Sequence, residues 1–153
     1  MRRGKCMRIY VDGSYYDDLN IAGFAFCVVE NEEIKFTYKD AMVIKRGNSI
    51  IAELLGVIKA LEYCNNLGVK EVTILHDYNE IPMLASSYRN TKNPYINSYA
   101  RKLRQFCQNL QVSFVKVKAH KNDRFNNYVD EMSRKSVEEY LIKKLKKSKY
   151  YKR

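Results

Sequence analysis

The spacing of apolar residues changes repeatedly along this chain, and the order of the changes leaves few folds open. From Met7 to Val11 apolar residues alternate, and IAGFAFCVVE (21–30) and EIKFTYKDAMVI (33–44) follow as two more extended runs. A period of two marks strands; the polar pair Asn31-Glu32 between the second and third suggests a hairpin, and Asp12-Gly13-Ser14 is expected to end the first. From Ser49 to about Leu67 the period becomes helical, with Ile50, Leu54, Val57, Ile58 and Leu61 on one face. Asn48 or Ser49 can cap that helix, and Gly68 can end it. VKEVTILHD (69–77) reads as a buried strand, and two helical stretches follow, about 79–88 and 96–109, with Pro94 between them. QVSFVKVKA (111–119) alternates again, and a long helix is expected from about Asn126 onwards. The order is therefore βββαβααβα. Strands alternating with helices in the second half require parallel crossovers, so the fold class is α/β, with a mixed five-stranded sheet flanked by helices.

At 153 residues the chain fits one domain that buries roughly two thirds of its unfolded surface. No apolar stretch approaches the about 18 residues of a membrane span, and no apolar segment of a secretory signal precedes the first strand. The expectation is a cytoplasmic, free-standing monomer without a membrane partner. Cys6, Cys27, Cys64 and Cys107 are scattered, with no CxxC pair, and read as reduced thiols, mostly in the core. The net charge is +11, and its placement is uneven: KKLKKSKYYKR (143–153) holds seven uncompensated positive charges and Arg2, Arg3, Lys5 and Arg8 hold four more. The division expected is a body, 1–142, and a basic C-terminal tail, 143–153. Clustered Lys and Arg suit a polyanion, since neutralising phosphates releases counterions; a solvated, solubilising tail is the plainer alternative.

Four carboxylates draw attention within the body. Asp12 lies at a strand end before a glycine, where a turn role would also explain it. Asp77 ends a buried strand before a helix, a place for an N-cap and equally for an α/β ligand site. Glu53 sits at the edge of the apolar stripe of its helix with no Lys or Arg on that helix placed to compensate it, so its ionised form needs a cation or hydrogen bonds. Asp130 shares a helix face with Ser133, Val137 and Leu141 and is expected to point inward. If the four converge at one end of the sheet, their repulsion favours hard divalent cations with oxygen ligands, and Mg²⁺ suits a site that keeps positions open for water and phosphate.

The runs YVDGSY around Asp12, AELLGVIKALE around Glu53, ILHDYNEI around Asp77 and FVKVKAHKNDRFNNYVDEMSRKSV around His120 and Asp130 resemble the motifs of type 1 ribonuclease H, in the same order and over about residues 8–140. The resemblance implies the ribonuclease H-like fold and hydrolysis of the RNA strand of an RNA–DNA hybrid to a 5′-phosphate and a 3′-hydroxyl, with two Mg²⁺ ions, or Mn²⁺. It makes Asp12, Glu53, Asp77 and Asp130 the metal ligands. It makes His120, ten residues before Asp130, a group that assists proton transfer or product release. Gly13, Ser14, Asn48, Ser49, Asn79 and Asn93 would contact the hybrid, although Asn is also ordinary turn and helix-start chemistry. His76 is expected to face away from Asp77 and to be structural.

The chain departs from the family pattern in having no Trp, with Met83, Tyr88 and Tyr95 in the segment where many relatives carry it. The basic helical handle of some bacterial enzymes is missing as well, and the basic tail is a candidate to compensate. Two other readings stay open: a DNA-acting nuclease of the same fold, of integrase or resolvase type, and a hybrid-binding module without turnover.

Overall fold

A computed structural model describes residues 6–78, 80–86, 91–118 and 123–151, with side chains described as far as residue 148. Five strands form one sheet: β1 (Met7–Tyr16), β2 (Ile21–Glu30), β3 (Glu33–Val43), β4 (Glu71–His76) and β5 (Gln111–Lys116), in the spatial order β3-β2-β1-β4-β5. β1, β2 and β3 pair antiparallel, whereas β4 runs parallel to both β1 and β5. Asn31 and Glu32 both take positive φ, 53° and 60°, the left-handed pair whose twist matches a two-residue hairpin. A single 3-10 turn (Asp17–Leu19) joins β1 to β2.

The helices are α1 (Ser49–Leu67), α2 (Ile81–Ser86), α3 (Pro94–Asn109) and α4 (Arg124–Tyr151). Asn48 Oδ1 accepts from the Ile51 N–H at 3.0 Å to start α1, and Gly68 closes it with φ 73°, a conformation that glycine adopts without a Cβ clash. Asn93 Oδ1 accepts from the N–H groups of Tyr95 and Ile96, and Pro94, expected as a separator, occupies the first turn of α3, where its missing N–H costs nothing. Asp123 Oδ1 accepts from the N–H groups of Phe125 and Asn126, which starts α4 two residues before the expected position.

Helices cover both faces of the sheet. One core lies between the sheet and α1 to α3, built from Ile9, Val11, Phe24, Phe26, Ile58, Leu61, Ile74 and Leu103 among others. The second lies under α4 and contains Tyr10, Cys27, Leu75, Val117, Phe125 and Val129. All four cysteines are free; Cys27 and Cys64 are buried, Cys107 is half-buried, and Cys6 is exposed. No helix among the described residues is long and apolar enough to cross a membrane.

Two expected boundaries move. β1 does not stop at Asp12-Gly13-Ser14: Gly13 pairs with Phe24, Ser14 with Gly23, and the ladder continues to Tyr16. Pairing with β2 supplies hydrogen bonds that a turn at Asp-Gly would have forgone. β5 ends at Lys116, three residues before the alternation does.

Candidate active site

Strand length places the first two carboxylates. β4 pairs with β1 over Met7–Tyr10 and stops at His76, whereas β1 runs on, so a step forms at the carboxyl end of the parallel pair. Asp77 is the first residue after β4, and Asp12 lies two residues past the last β1 residue paired with it. Side chains alternate along a strand, so Asp12 shares the α4 face with Tyr10, and Asp77 shares it with Leu75. His76, between them, goes to the other face, fully buried and edge-on to Phe114. Burial holds its imidazole below the usual range and hence neutral, in keeping with a structural role.

Glu53 arrives from the opposite face, and Gly13 is the reason that it can. A Cβ on Gly13 would lie 2.3 Å from the Ala52 carbonyl carbon and 2.3 Å from the Glu53 nitrogen, so the α1 backbone rests directly on β1. At that distance the Gly13 N–H donates to Glu53 Oε2 at 3.0 Å. Gly23, on β2 beside Ser14, performs the same service for α4: a Cβ there would lie 2.4 Å from the Ser133 carbonyl oxygen. That close seating brings Asp130, one turn earlier, to Asp12 and Asp77.

One oxygen each from Asp12, Glu53 and Asp77 lies within 4.8 Å of the other two. Asp12 and Glu53 are each 4% exposed, and Asp77 is half-buried. Desolvation pushes the Asp12 carboxyl up to about 7, with the Asp77 charge adding to it. Glu53 is pushed well above the carboxylate range, first by burial and then by the charges of Asp12 and Asp77. Asp77 is raised by burial and by Asp130, and Lys116 at the end of β5 opposes the rise. Glu53 Oε1 is buried without a hydrogen bond among the described residues as long as both acids are ionised; a proton on Glu53 would bridge to Asp12.

An all-oxygen donor set, three close carboxylates held against their own repulsion and a buried carboxylate oxygen with no donor fit a hard divalent cation. Asp12, Glu53 and Asp77 are placed to hold one.

Asp130 faces Asp12 and Asp77, as its shared face with Ser133 and Val137 implies, but it sits less deep than Asp12 and Glu53. Its helix neighbours Ser133 and Val137 are buried as predicted, but its own side chain is 47% exposed and pairs with Arg134 Nη2 at 2.7 Å. Asp130 reaches the cluster at its rim, near enough to raise both Asp12 and Asp77.

A family model described as RNase H matches residues 4–138. The chain belongs to the RNase H family. No individual curated protein matches it. Among solved structures, RNase H1 from the halophilic archaeon Halobacterium salinarum superposes with a TM-score of 0.74 at 17% identity, covering 88% of this chain and 99% of that one. LC11-RNase H1 in complex with an RNA/DNA hybrid gives 0.72 at 19% identity, with coverage of 88% and 99%. The N-terminal RNase H domain of a Mycobacterium tuberculosis protein gives 0.69 at 19%, with coverage of 86% and 94%. At these identities the likeness is one of fold, and it extends over nearly the whole RNase H body.

Gly13 and Ser14 lie on β1 next to Asp12. Asn48 and Ser49 begin α1, one turn before Glu53, and Asn93 begins α3; both asparagines spend their side-chain oxygens on caps, which leaves their amide N–H groups to donate elsewhere. Asn79 and His120 lie outside the described residues. Two neighbours of the cluster were missed in the sequence. Arg134 was findable, since four residues along a helix from an Asp is ion-pair spacing. Lys116 was not, because its place beside His76 and Asp77 depends on the register between β4 and β5.

Proposed function

We propose that this RNase H family member is an endoribonuclease that hydrolyses the RNA strand of RNA–DNA hybrids, leaving a 5′-phosphate and a 3′-hydroxyl. The observation that carries the reading is the convergence of Asp12, Glu53 and Asp77, with Asp130 beside them, at the open step past β4. Carboxylates this close are poorly suited to bind a polyanion by themselves, but they suit divalent cations that a phosphodiester can share. Asp12, Glu53, Asp77 and Asp130 would hold two Mg²⁺ ions, with Mn²⁺ as a substitute. When bound, such ions lower the pKa of water and offset charge on the departing 3′ oxygen.

The protein's own contribution is placement. The Gly13 amide fixes one oxygen of Glu53, so this buried acid keeps its orientation while its other oxygen stays free for a ligand. The ionised forms of Asp12, Glu53 and Asp77 would be favoured by a bound divalent cation. Asp130 is tied to an exposed arginine, and not to the core, so it can exchange Arg134 for another cation without disturbing packing. The amide groups of Asn48 and Asn93 and the Ser49 hydroxyl are donors for phosphate or 2′-hydroxyl oxygens along the bound strand. His120, between β5 and α4 in the sequence, is the candidate to shuttle a proton or release the product phosphate.

The test is cleavage of a hybrid labelled on its RNA strand, in Mg²⁺, Mn²⁺ or EDTA, with duplex DNA alongside. Metal-dependent RNA cleavage that falls by at least about 100-fold in Asp77→Asn is expected, in line with the loss of a group that stabilises developing charge. Cleavage of duplex DNA in its place would move the protein to the DNA-acting branch, and hybrid binding without any product would make it a non-catalytic module.

A further inference from the structure

α4 is 28 residues long, and its two halves serve different surroundings. Phe125, Asn126, Val129, Ser133, Ser136 and Val137 are buried against the sheet, and Glu139 pairs with Lys39 on β3. From Ile142 to Ser148 every residue is exposed, yet the helix continues without a break to Tyr151. The buried stripe of 129, 133, 136 and 137, with half-buried Tyr140, continues at helical spacing as Lys143, Lys144 and Lys147, while Lys146 lies on the far side of the helix. The buried face turns into a lysine face at the point where the helix leaves the sheet.

Nothing in the fold accounts for this. Burial, which supplies most helix stability in proteins, is absent from these turns. Lysines at 143, 146 and 147, and at 144 and 147, repel one another at three- and four-residue spacing, and of these only Lys143 has Glu139 one turn away. Proximity to the helix C-terminus offsets a part of that repulsion. The apolar residues of this segment, Leu141, Ile142 and Leu145, make too small a face for a helix that lies in a membrane interface. What remains unsatisfied is positive charge held on a rigid support.

We propose that the distal turns of α4 bind the phosphate backbone of the same duplex that lies at the carboxylates, as a second and remote contact. This rests on the hybrid-hydrolase reading above. At 1.5 Å per residue, Lys143 and Lys147 stand about 20 and 26 Å along the helix from Asp130. Duplex nucleic acid advances about 3.4 Å per phosphate on each strand, so for a duplex that runs along α4 the lysines meet phosphates about 6 to 8 base pairs from the cluster. The contact therefore exists for long duplexes and is missing for short ones, and it carries no sequence preference.

The experiment compares equilibrium binding of the unmodified protein and a variant in which Lys143, Lys144, Lys146 and Lys147 are all changed to Gln, on hybrids of about 8 and about 24 base pairs; the shorter, seated centrally on the cluster, extends about 4 base pairs to either side and ends before the lysines. Gln keeps helix propensity close to that of Lys, and a matching melting temperature checks the fold. For the long hybrid, affinity at low salt is expected to fall by about tenfold or more, and the slope of log K against log salt to shrink by about 3. The short hybrid should bind both proteins alike, and the corresponding four Lys→Arg changes should restore the long-hybrid affinity. Equal affinity for the long hybrid would overturn the proposal, as would an equal loss at both lengths. The hydrolase reading is tested apart from this: RNA cleavage with no lysine effect keeps that reading and rejects the remote contact, whereas lysine-dependent binding of long hybrids without cleavage does the reverse.

Discussion

The two flanks of the carboxylate cluster put the same chemical group in opposite surroundings. On the α1 side Glu53 is 4% exposed, receives a backbone N–H and has no positive side chain as a partner among the described residues. On the α4 side the Asp130 side chain is 47% exposed and pairs with Arg134. Desolvation and the neighbouring charges drive Glu53 towards its protonated form, while Asp130 stands half exposed beside a guanidinium. Burial, and not the number of charges, thus divides the labour: the dry flank stores electrostatic tension that a cation can release, and the wet flank supplies an acid that can change partners at little cost. Both flanks depend on a glycine that admits a helix backbone.

The strongest way to break the comparison is at the dry flank's support. Gly13→Val should destabilise the protein by about 3 kcal/mol or more, because its side chain would need the space of the Ala52 backbone, and packed cores resist added volume. For a chain of this size that is a fall of about 10 °C in melting temperature. A Gly13→Val protein that melts with the unmodified one would show that α1 is not seated on β1 as described.

The pH dependence of metal-free stability sharpens the difference. Both Asp12 and Glu53 have folded pKa values raised above their ordinary values of 3.8 and 4.5, so the folded state binds more protons. The stability they contribute is complete below about pH 4 and is lost as the pH climbs through the folded values, about 7 for Asp12 and well above the usual range for Glu53. Thermal unfolding without metal should therefore show stability declining from pH 5 to 8, by at most about 1.4 kcal/mol per pH unit for each group. Glu53→Gln should flatten that decline and raise stability at pH 8, and added Mg²⁺ should stabilise the unmodified protein most at the high-pH end. A flat profile without metal would mean that the two acids do not share a desolvated site.

The smallest effect belongs to the wet flank. Asp130→Asn removes one exposed ion pair and should change stability by less than about 1 kcal/mol. The same denaturation curves check it, and a loss comparable to that of Gly13→Val would place Asp130 in the core after all.

The element order was legible because each element announces itself locally. β2 spans the run read as IAGFAFCVVE, α1 spans the helical stretch between Asn48 and Gly68, and Asn31-Glu32 is the hairpin. The four acids were legible one by one, and their order along the chain carried the family resemblance. Asp12-Gly13 was misread as a strand end because a turn and a continuing edge look alike until a partner strand is known; β2 provides that partner. Helix periodicity assigned Asp130 to the face of buried Ser133 and Val137 but not its depth, which tertiary packing leaves half exposed at the rim beside Asp12 and Asp77.

The sequence by itself therefore determined periodicity, caps, the identity of the acids and the basic character of the chain's end, all of which follow from interactions within a few residues. Only the tertiary structure decided which acids are dry and which wet, that Gly13 and Gly23 admit α1 and α4 to within backbone contact, and that the lysines of 143–147 continue a buried stripe. Those outcomes depend on distances between segments far apart in the chain. Electrostatics and close packing change steeply over a few ångströms, which only the packed backbone fixes.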